Sequence, residues 1–463
     1  MKRIAVVLFA LTLVISGQAQ KLFGEIGAEF APAISGQYLL GEACSTLGFR
    51  GDIGEGFFPD ASYRAELHGC YDAVTGMGQL ALGETRLTVY LDNLDLRFGN
   101  QTVSWGSMSV FNPVDVIHAK NLSYPVADPQ AAKLPSPMVR ADYYADAFAV
   151  QAFIIPVYRK MVTPSPVWPV AIPELGEPPA GGMFLFNPAE LAGLDFEGSS
   201  ELTALFVSEH TPEFSLANTQ LGLRVNIPVN VLDGADVNVS YYRGFRHEPQ
   251  VSFTPVPVAG PLADSVKQVV ARLPISEAEK QQLLALLNDP ALQQNLYLPL
   301  PEIHYTPINL FGVDFSAVTG SWVLRGEAAF ELSADADGTN PALGNNRFSV
   351  ALGAETMLPG NAVLFGEVGY THDFADQGSD NAVQSVQTVI GGNYEFTNRL
   401  TMQGAWVHEW TSGGGVLQPS LTYQLADGLN LSASAAVFYG PAHTQYGLWS
   451  KQSHVNIGVM YRF

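Results

Sequence analysis

The stretch His454-Val-Asn-Ile-Gly-Val-Met-Tyr-Arg-Phe463 decides the fold. Val455, Ile457, Val459, Tyr461 and Phe463 share one parity, while Asn456, Gly458 and Arg462 occupy the other. Successive side chains of a strand point to opposite faces, so this segment has one apolar and one polar side. A transmembrane barrel needs such strands, because lipid touches one face and water the other.

Working back from the C-terminus, the same period-2 pattern recurs between turn residues. The segments are 22–30, 44–53, 61–70, 84–91, 94–103, 138–145, 147–155, 219–228, 235–245 and 305–317. They continue at 321–332, 347–358, 362–372, 384–396, 400–410, 416–426, 429–440 and 454–463. The expectation is an all-β, antiparallel, up-and-down transmembrane barrel of about 18 strands (range 14–18), an even number as single-chain bacterial barrels require.

The connections alternate in length from the fourth strand onward. Asp92-Asn93, Ala145-Asp146, Thr319-Gly320, Pro359-Gly360-Asn361, Thr397-Asn398 and Asp427-Gly428 are short. Segments 104–137, 156–218, 246–304, 333–346, 373–383 and 441–453 are long. Short periplasmic turns and long extracellular loops are the barrel arrangement. With both termini periplasmic, Cys44 and Cys70 fall together at the outer rim, where an oxidising envelope permits a disulfide; two free thiols are the alternative.

Three loops have character of their own. Residues 156–180 are proline-rich, with Thr163-Pro-Ser-Pro-Val-Trp-Pro169 expected to be stiff and extended. Asp335-Ala-Asp-Gly-Thr-Asn340 resembles half a calcium loop but lacks the distal Glu, which favours an ordinary polar turn. In the long loop 246–304, Ser276-Glu-Ala-Glu279 is a capping box before Leu283, Leu284 and Leu287 at helical spacing. That helix must bury its apolar stripe on other loops, in the pore mouth or on a partner.

The N-terminal end fits the same picture. Lys2 and Arg3 precede an apolar run from Ile4 to Ile15 and then Gly17-Gln18-Ala19, so residues 1–20 read as a signal peptide and 21–463 as the barrel. No later run of about 18 apolar residues suggests a membrane-spanning helix. Charged residues make up 14% of the chain, against about 25% in soluble domains. The formal charge is −21, or −23 without Lys2 and Arg3, which excludes nucleic acid as a partner. Acidic loops or a cation-leaning pore would both account for the sign.

Taking the more apolar parity as lipid-facing leaves a polar inward set. Arg64, Glu66, His68, Arg86, Asp95, Arg97, Gln101, Arg140, Asp142 and Arg224 come from the earlier strands. Asp314, Arg325, Glu327, Glu331, Arg347, Glu355, Glu367, Gln387, Glu395, Gln403, Gln418, Gln424 and Arg462 come from the later ones. The expected pore lining is Arg64, Arg86, Arg97, Gln101, Arg140, Arg224, Glu327, Glu331, Glu355, Glu367 and Glu395 around a hydrated interior. Arginines gather on one wall and glutamates on the other. Either the walls set up a transverse field or neighbouring charges pair locally.

Leu96-Arg-Phe-Gly-Asn-Gln-Thr-Val-Ser-Trp-Gly106, Phe111-Asn-Pro-Val-Asp115 and Asn121-Leu122 together resemble a pattern of large, mostly uncharacterised outer-membrane porin-like barrels. There a strand reads Arg-x-Gly-x-Gln-x-x-x-Trp-Gly and a Pro-x-Asp loop follows. Val139-Arg-Ala-Asp-Tyr-Tyr144 and Phe153-Ile-Ile-Pro156 are similar to that family's next hairpin. Gly99-Asn100-Gln101 departs from it, since a second basic residue is common there. The terminal Phe463 likewise resembles the signature read by the barrel assembly machinery of bacterial outer membranes. The resemblance implies an outer-membrane location and transport, and names no solute. On physical grounds Gly99 relieves crowding, Trp105 suits an aromatic girdle, and Gly106 lets loop 107–137 turn inward as a pore constriction.

An enzyme is not indicated. His68, His118, His247, His304, His408, His443 and His454 are scattered, His247-Glu248 and His408-Glu409 are isolated pairs, and no metal, nucleophile or nucleotide motif occurs. No cofactor is expected; the partners expected are outer-membrane lipid and small solutes. The leading reading is a channel for small hydrophilic solutes. The alternatives are a transporter of hydrophobic compounds plugged by residues 262–287, and a surface adhesin or structural barrel with an occluded pore.

Overall fold

The computed structural model describes residues 21–36, 38–53, 60–74, 76–122, 132–162, 178–185, 208–272, 275–289, 292 and 295–463. The signal-peptide segment and most of the proline-rich stretch lie outside them. Eighteen antiparallel strands form one sheet that closes on itself. The first nine are β1 (Lys21–Pro32), β2 (Tyr38–Ile53), β3 (Ala61–Asp72), β4 (Met77–Leu91), β5 (Leu94–Gln101), β6 (Ser136–Tyr144), β7 (Ala149–Ile155), β8 (Gln220–Val229) and β9 (Ala235–Phe245). The second nine are β10 (Pro307–Thr319), β11 (Trp322–Ser333), β12 (Arg347–Leu358), β13 (Ala362–Asp373), β14 (Val383–Thr397), β15 (Leu400–Glu409), β16 (Gly414–Ala426), β17 (Leu429–Tyr439) and β18 (His454–Arg462).

Each expected strand has its counterpart. β1 pairs with β18, Glu25 opposite Arg462 through Phe30 opposite Ile457, and this pairing removes the last free edge. Phe463 locks the seam: its N–H donates to Gly24 O, and Gly24 N–H donates to Phe463 O, both at 3.0 Å. Val455, Ile457, Val459, Tyr461 and Phe463 are exposed on the outer face, as the alternation requires of a lipid-facing strand. The same belt continues around the barrel through Leu352, Leu364, Val368 and Ile390.

β4 starts earlier than its alternation suggests. The β3–β4 register shifts between Ala65 and Leu67, a bulge that puts Leu80 and Leu82 out of phase with Leu87. One extra residue flips the parity, so the segment from Met77 does not read as the same strand. Cys44 and Cys70 are register partners on β2 and β3, with Cα atoms 4.1 Å apart, and are joined by a disulfide. They share the inward parity of Thr46 and His68, whose side chains are hydrogen-bonded at 2.7 Å, so the link faces the lumen.

The long connection after β9 folds into a small cap. Strands Gln250–Pro257 and Leu296–His304 form a hairpin, extended by Met183–Phe184 and Ser208–His210. Two helices sit on it, α1 (Pro261–Arg272) and α2 (Glu277–Asn288). The capping box is present: Ser276 Oγ accepts from Glu279 N, and Ser276 N donates to Glu279. Val266, Val270, Leu287, Leu296 and Leu298 are buried together, so the stripe on α2 packs on neighbouring loop elements. The two helices therefore contribute to the cap's own core. Asp335 accepts from Thr339 N and Asn340 N at 3.1 Å, an ordinary Asp-led turn.

Candidate functional site: a segment carried across the lumen

The expected inward turn occurs at Gly106, with φ +84°. A Cβ there would lie 2.3 Å from Asn112 Oδ1 and 2.5 Å from Glu327 Oε1, so only glycine fits. Gly99 is also constrained, since its added Cβ would meet Thr85 O at 2.1 Å. Beyond Gly106 the chain leaves the wall at β5 and reaches β11 and β13.

Two glutamates of the lumen face hold the segment there. Glu327 Oε1 accepts from Ser107 N at 2.5 Å and Met108 N at 2.7 Å, while its Oε2 accepts from Val114 N at 3.3 Å. Glu367 Oε1 accepts from Ser109 N at 2.7 Å, and its Oε2 accepts from Val110 N at 3.1 Å and Phe111 N at 3.0 Å. An irregular segment inside a barrel has backbone donors that must find partners, and a carboxyl group with two acceptor oxygens can take several at once. The Phe111 ring also lies over Gly369, where a Cβ would fall 2.3 Å from the ring.

Behind this crossing the lumen is packed. Val103, Trp105, Val114 and Ile117 of the segment bury against Met138, Phe153, Ile155, Tyr242, Ile308 and Leu310 on the inward faces of β6, β7, β9 and β10. The inward parity is therefore polar only in part: towards the extracellular end of these strands it is apolar and dry. Trp105 belongs to this core and not to a girdle. Its indole N–H donates to Gln151 at 2.7 Å and its ring sits 5.4 Å from Phe153. Folding the loop inward turned a rim position into an interior one. The outer aromatic belt is filled elsewhere, by Trp406, Tyr439 and Trp410 gathered around His408.

The segment carries its own buried charges. Lys133 is paired with Asp115, and its ammonium donates to Ser104 Oγ at 2.8 Å. His118 Nε2 accepts from Val103 N at 2.8 Å, and burial pushes this imidazole down to about 3, so it stays neutral. His247, just past β9, contacts the Ile117 and Arg159 carbonyls at 3.0 and 3.1 Å. Loop, wall and rim are thereby tied together.

The remaining charges of the expected lining pair with neighbours. Arg64 pairs with Glu66, Arg86 with Glu84 at 2.8 Å, and Arg97 with Asp95 and Asp142, each at 3.3 Å. Arg140 meets Asp142 at 2.9 Å, Arg224 meets Asp314 at 2.9 Å, and Arg325 meets Glu355 at 2.8 Å. Glu331 meets Arg246 at 2.9 Å. Gln101 is buried beneath the crossing segment and donates to Met138 O at 3.3 Å, while Glu395 is exposed near the periplasmic end of β14. Most of these charges are thus compensated by near neighbours. Glu84 is absent from the expected lining although it opens the expected segment 84–91 on the inward parity of Arg86; it accepts from Thr102 N at 3.2 Å and from the Thr102 hydroxyl at 2.6 Å.

The family described as "Protein of unknown function (DUF1302)" matches residues 83–459. The chain belongs to that family. The match begins beside the bulge and runs through the crossing segment and the cap into β18. No curated protein matches. Among solved structures the family member is similar to OccD3 (OpdP) of Pseudomonas aeruginosa at 9% identity and TM-score 0.49, covering 96% of this chain and 92% of that one. It is also similar to OmpT, an outer membrane protein of Vibrio cholerae, at 10% identity and TM-score 0.44, covering 96% and 99%. A mutant Rh. blastica porin is similar at 10% identity and TM-score 0.40, covering 96% and 100%.

Proposed function

We propose that the chain is a bacterial outer-membrane channel for passive diffusion of small hydrophilic solutes, its bore narrowed by residues 103–117. The observation that carries this is the division of the lumen. On the β5–β13 side the crossing segment packs against the wall. On the β14–β18 side Val389, Val407, Val416, Ala436 and Phe438 form a second buried apolar cluster that Val110 packs against, while other inward residues there are polar and part-exposed, among them Gln418, Ser420, Thr422, Asn430, Ser432 and Asn456. Hydroxyls and amides with solvent access suit uncharged or weakly charged polar solutes and repel apolar ones. The apolar stripe of the two helices is taken up by the cap's own core, which favours this reading over a transporter of hydrophobic compounds plugged by 262–287.

The test is single-channel conductance of the refolded mature chain in a planar bilayer under a salt gradient. Wild type should give small, stable steps, and deletion of residues 107–116 should enlarge them several-fold. A folded barrel silent in both forms would overturn the channel reading in favour of an occluded surface barrel.

A further inference from the structure

We propose that His210, Glu302 and His304, on the outer face of the cap, form a binding site for a divalent transition-metal ion, Zn2+ in particular. Ser208–His210 lies parallel to the hairpin strand Leu296–His304, with Ser208 opposite Glu302 and His210 opposite His304. Alternation then puts Glu302, His304 and His210 on one face, and Ile303 and Glu209 on the other. The second face is anchored: Ile303 packs on Tyr158, Phe245 and Tyr305, and Glu209 accepts from Tyr305 Oη at 2.7 Å and pairs with Lys160. The first face is open, with His210 exposed and the other two residues part-exposed.

The three side chains converge. Their ligating atoms all lie within 4.8 Å of one another. The two imidazoles are stacked, centroids 4.4 Å apart and planes 14° apart. His304 Nε2 is 3.4 Å from Glu302 Oε2, and His210 Nε2 is 3.3 Å from Ser208 Oγ. Because Ser208 and Glu302 are register partners, both Nε2 atoms aim at the same end of the ladder. A tetrahedral Zn2+ with N and O ligands at about 2.0–2.1 Å holds its ligand atoms roughly 3.3 Å apart. The His304–Glu302 pair already has that spacing, and a small rotation of His210 would complete the set. A Glu302–His304 ion pair alone would give no reason for His210 to face it, and two stacked imidazolium rings would repel. Two neutral imidazoles and one carboxylate suit Zn2+ or Cu2+ and disfavour Mg2+ and Ca2+. Such an ion would clip the end of the connection after β7 to the hairpin after β9, and this reading does not depend on whether the lumen conducts.

The test is calorimetric titration of the chelator-treated, folded protein in detergent with ZnCl2. Wild type should bind about one ion per chain, unaffected by excess Mg2+. H210A and H304A should each weaken binding by about 10-fold or more, while H443A, at an exposed histidine of another loop, should bind as wild type does. H210N and H304N serve where an alanine variant fails to fold. Absence of saturable binding, or H210A and H304A binding like wild type, would overturn the proposal.

Discussion

Two extracellular connections of this barrel solve the same problem in opposite ways. Residues 103–117 fold inward, and backbone donors between Ser107 and Val114 go to Glu327 and Glu367 on the far wall. The described residues between Gln250 and His304 supply their own partners, in a hairpin, two helices and a private apolar core. The first borrows its order from the barrel, so it has a shape only where the barrel holds it. The second carries its order within itself, and its removal would leave the wall intact. A segment ordered by the wall can set the bore; one ordered by itself is free to bind something outside.

The sharpest way to break this comparison is to remove the two carboxylates. In the double variant E327Q and E367Q, each amide keeps one acceptor oxygen and turns an NH2 group towards the remaining backbone donors. An intramolecular hydrogen bond contributes about 0.5–1.5 kcal/mol net, so weakening both sets at once should release the crossing segment while the closed wall keeps the barrel folded. Larger and noisier conductance steps are expected, together with rapid labelling of a cysteine introduced at Ser109. If the steps keep their wild-type size and Ser109 stays protected, the apolar core alone holds the segment.

These differences also explain what the sequence makes legible. Strand positions and the seam follow from alternation, which is a local property, and Val455 to Phe463 display it without any partner. The helix at Glu277–Asn288 is legible for the same reason, since its capping box spans four consecutive residues. Gly106 signals a turn, but nothing near it names Glu327 or Glu367, which approach through closure of the whole barrel. Trp105 shows the cost of that gap: its type suits a membrane girdle, and only the path of the loop places it inside. The β4 bulge is a smaller case, where one inserted residue hides the strand's start. His210 and Glu302 likewise carry no spacing signal, because the strand pairing of the cap brings them together.

A second, milder test addresses the turn itself. Gly106→Ala puts a Cβ on a residue at φ +84° and against Asn112 and Glu327. Left-handed backbone costs a non-glycine residue about 1–3 kcal/mol, and the close approaches add to that. The expected result is a lower midpoint in thermal unfolding and fluctuating conductance, with smaller changes than in the double glutamine variant. The corresponding change at Gly260 in the cap, which has nothing near its missing Cβ, should leave conductance at the wild-type level.

The smallest effect belongs to the self-ordered region. Hydrogen bonds from the Ser276 hydroxyl and backbone hold the Glu279 carboxyl below its ordinary 4.5. A carboxylate with a depressed folded value stabilises at neutral pH, and that contribution fades as the pH falls below 4.5 towards the folded value. Amide exchange protection across Glu277–Asn288 should therefore drop on acidification once intrinsic rates are corrected for. Ser276→Ala should lower protection at pH 7 and flatten the acid response, without altering conductance. A change in conductance in that variant would mean that the cap and the crossing segment are coupled, and the separation between borrowed and intrinsic order would then fail at its weakest joint, the passage from His247 into the hairpin.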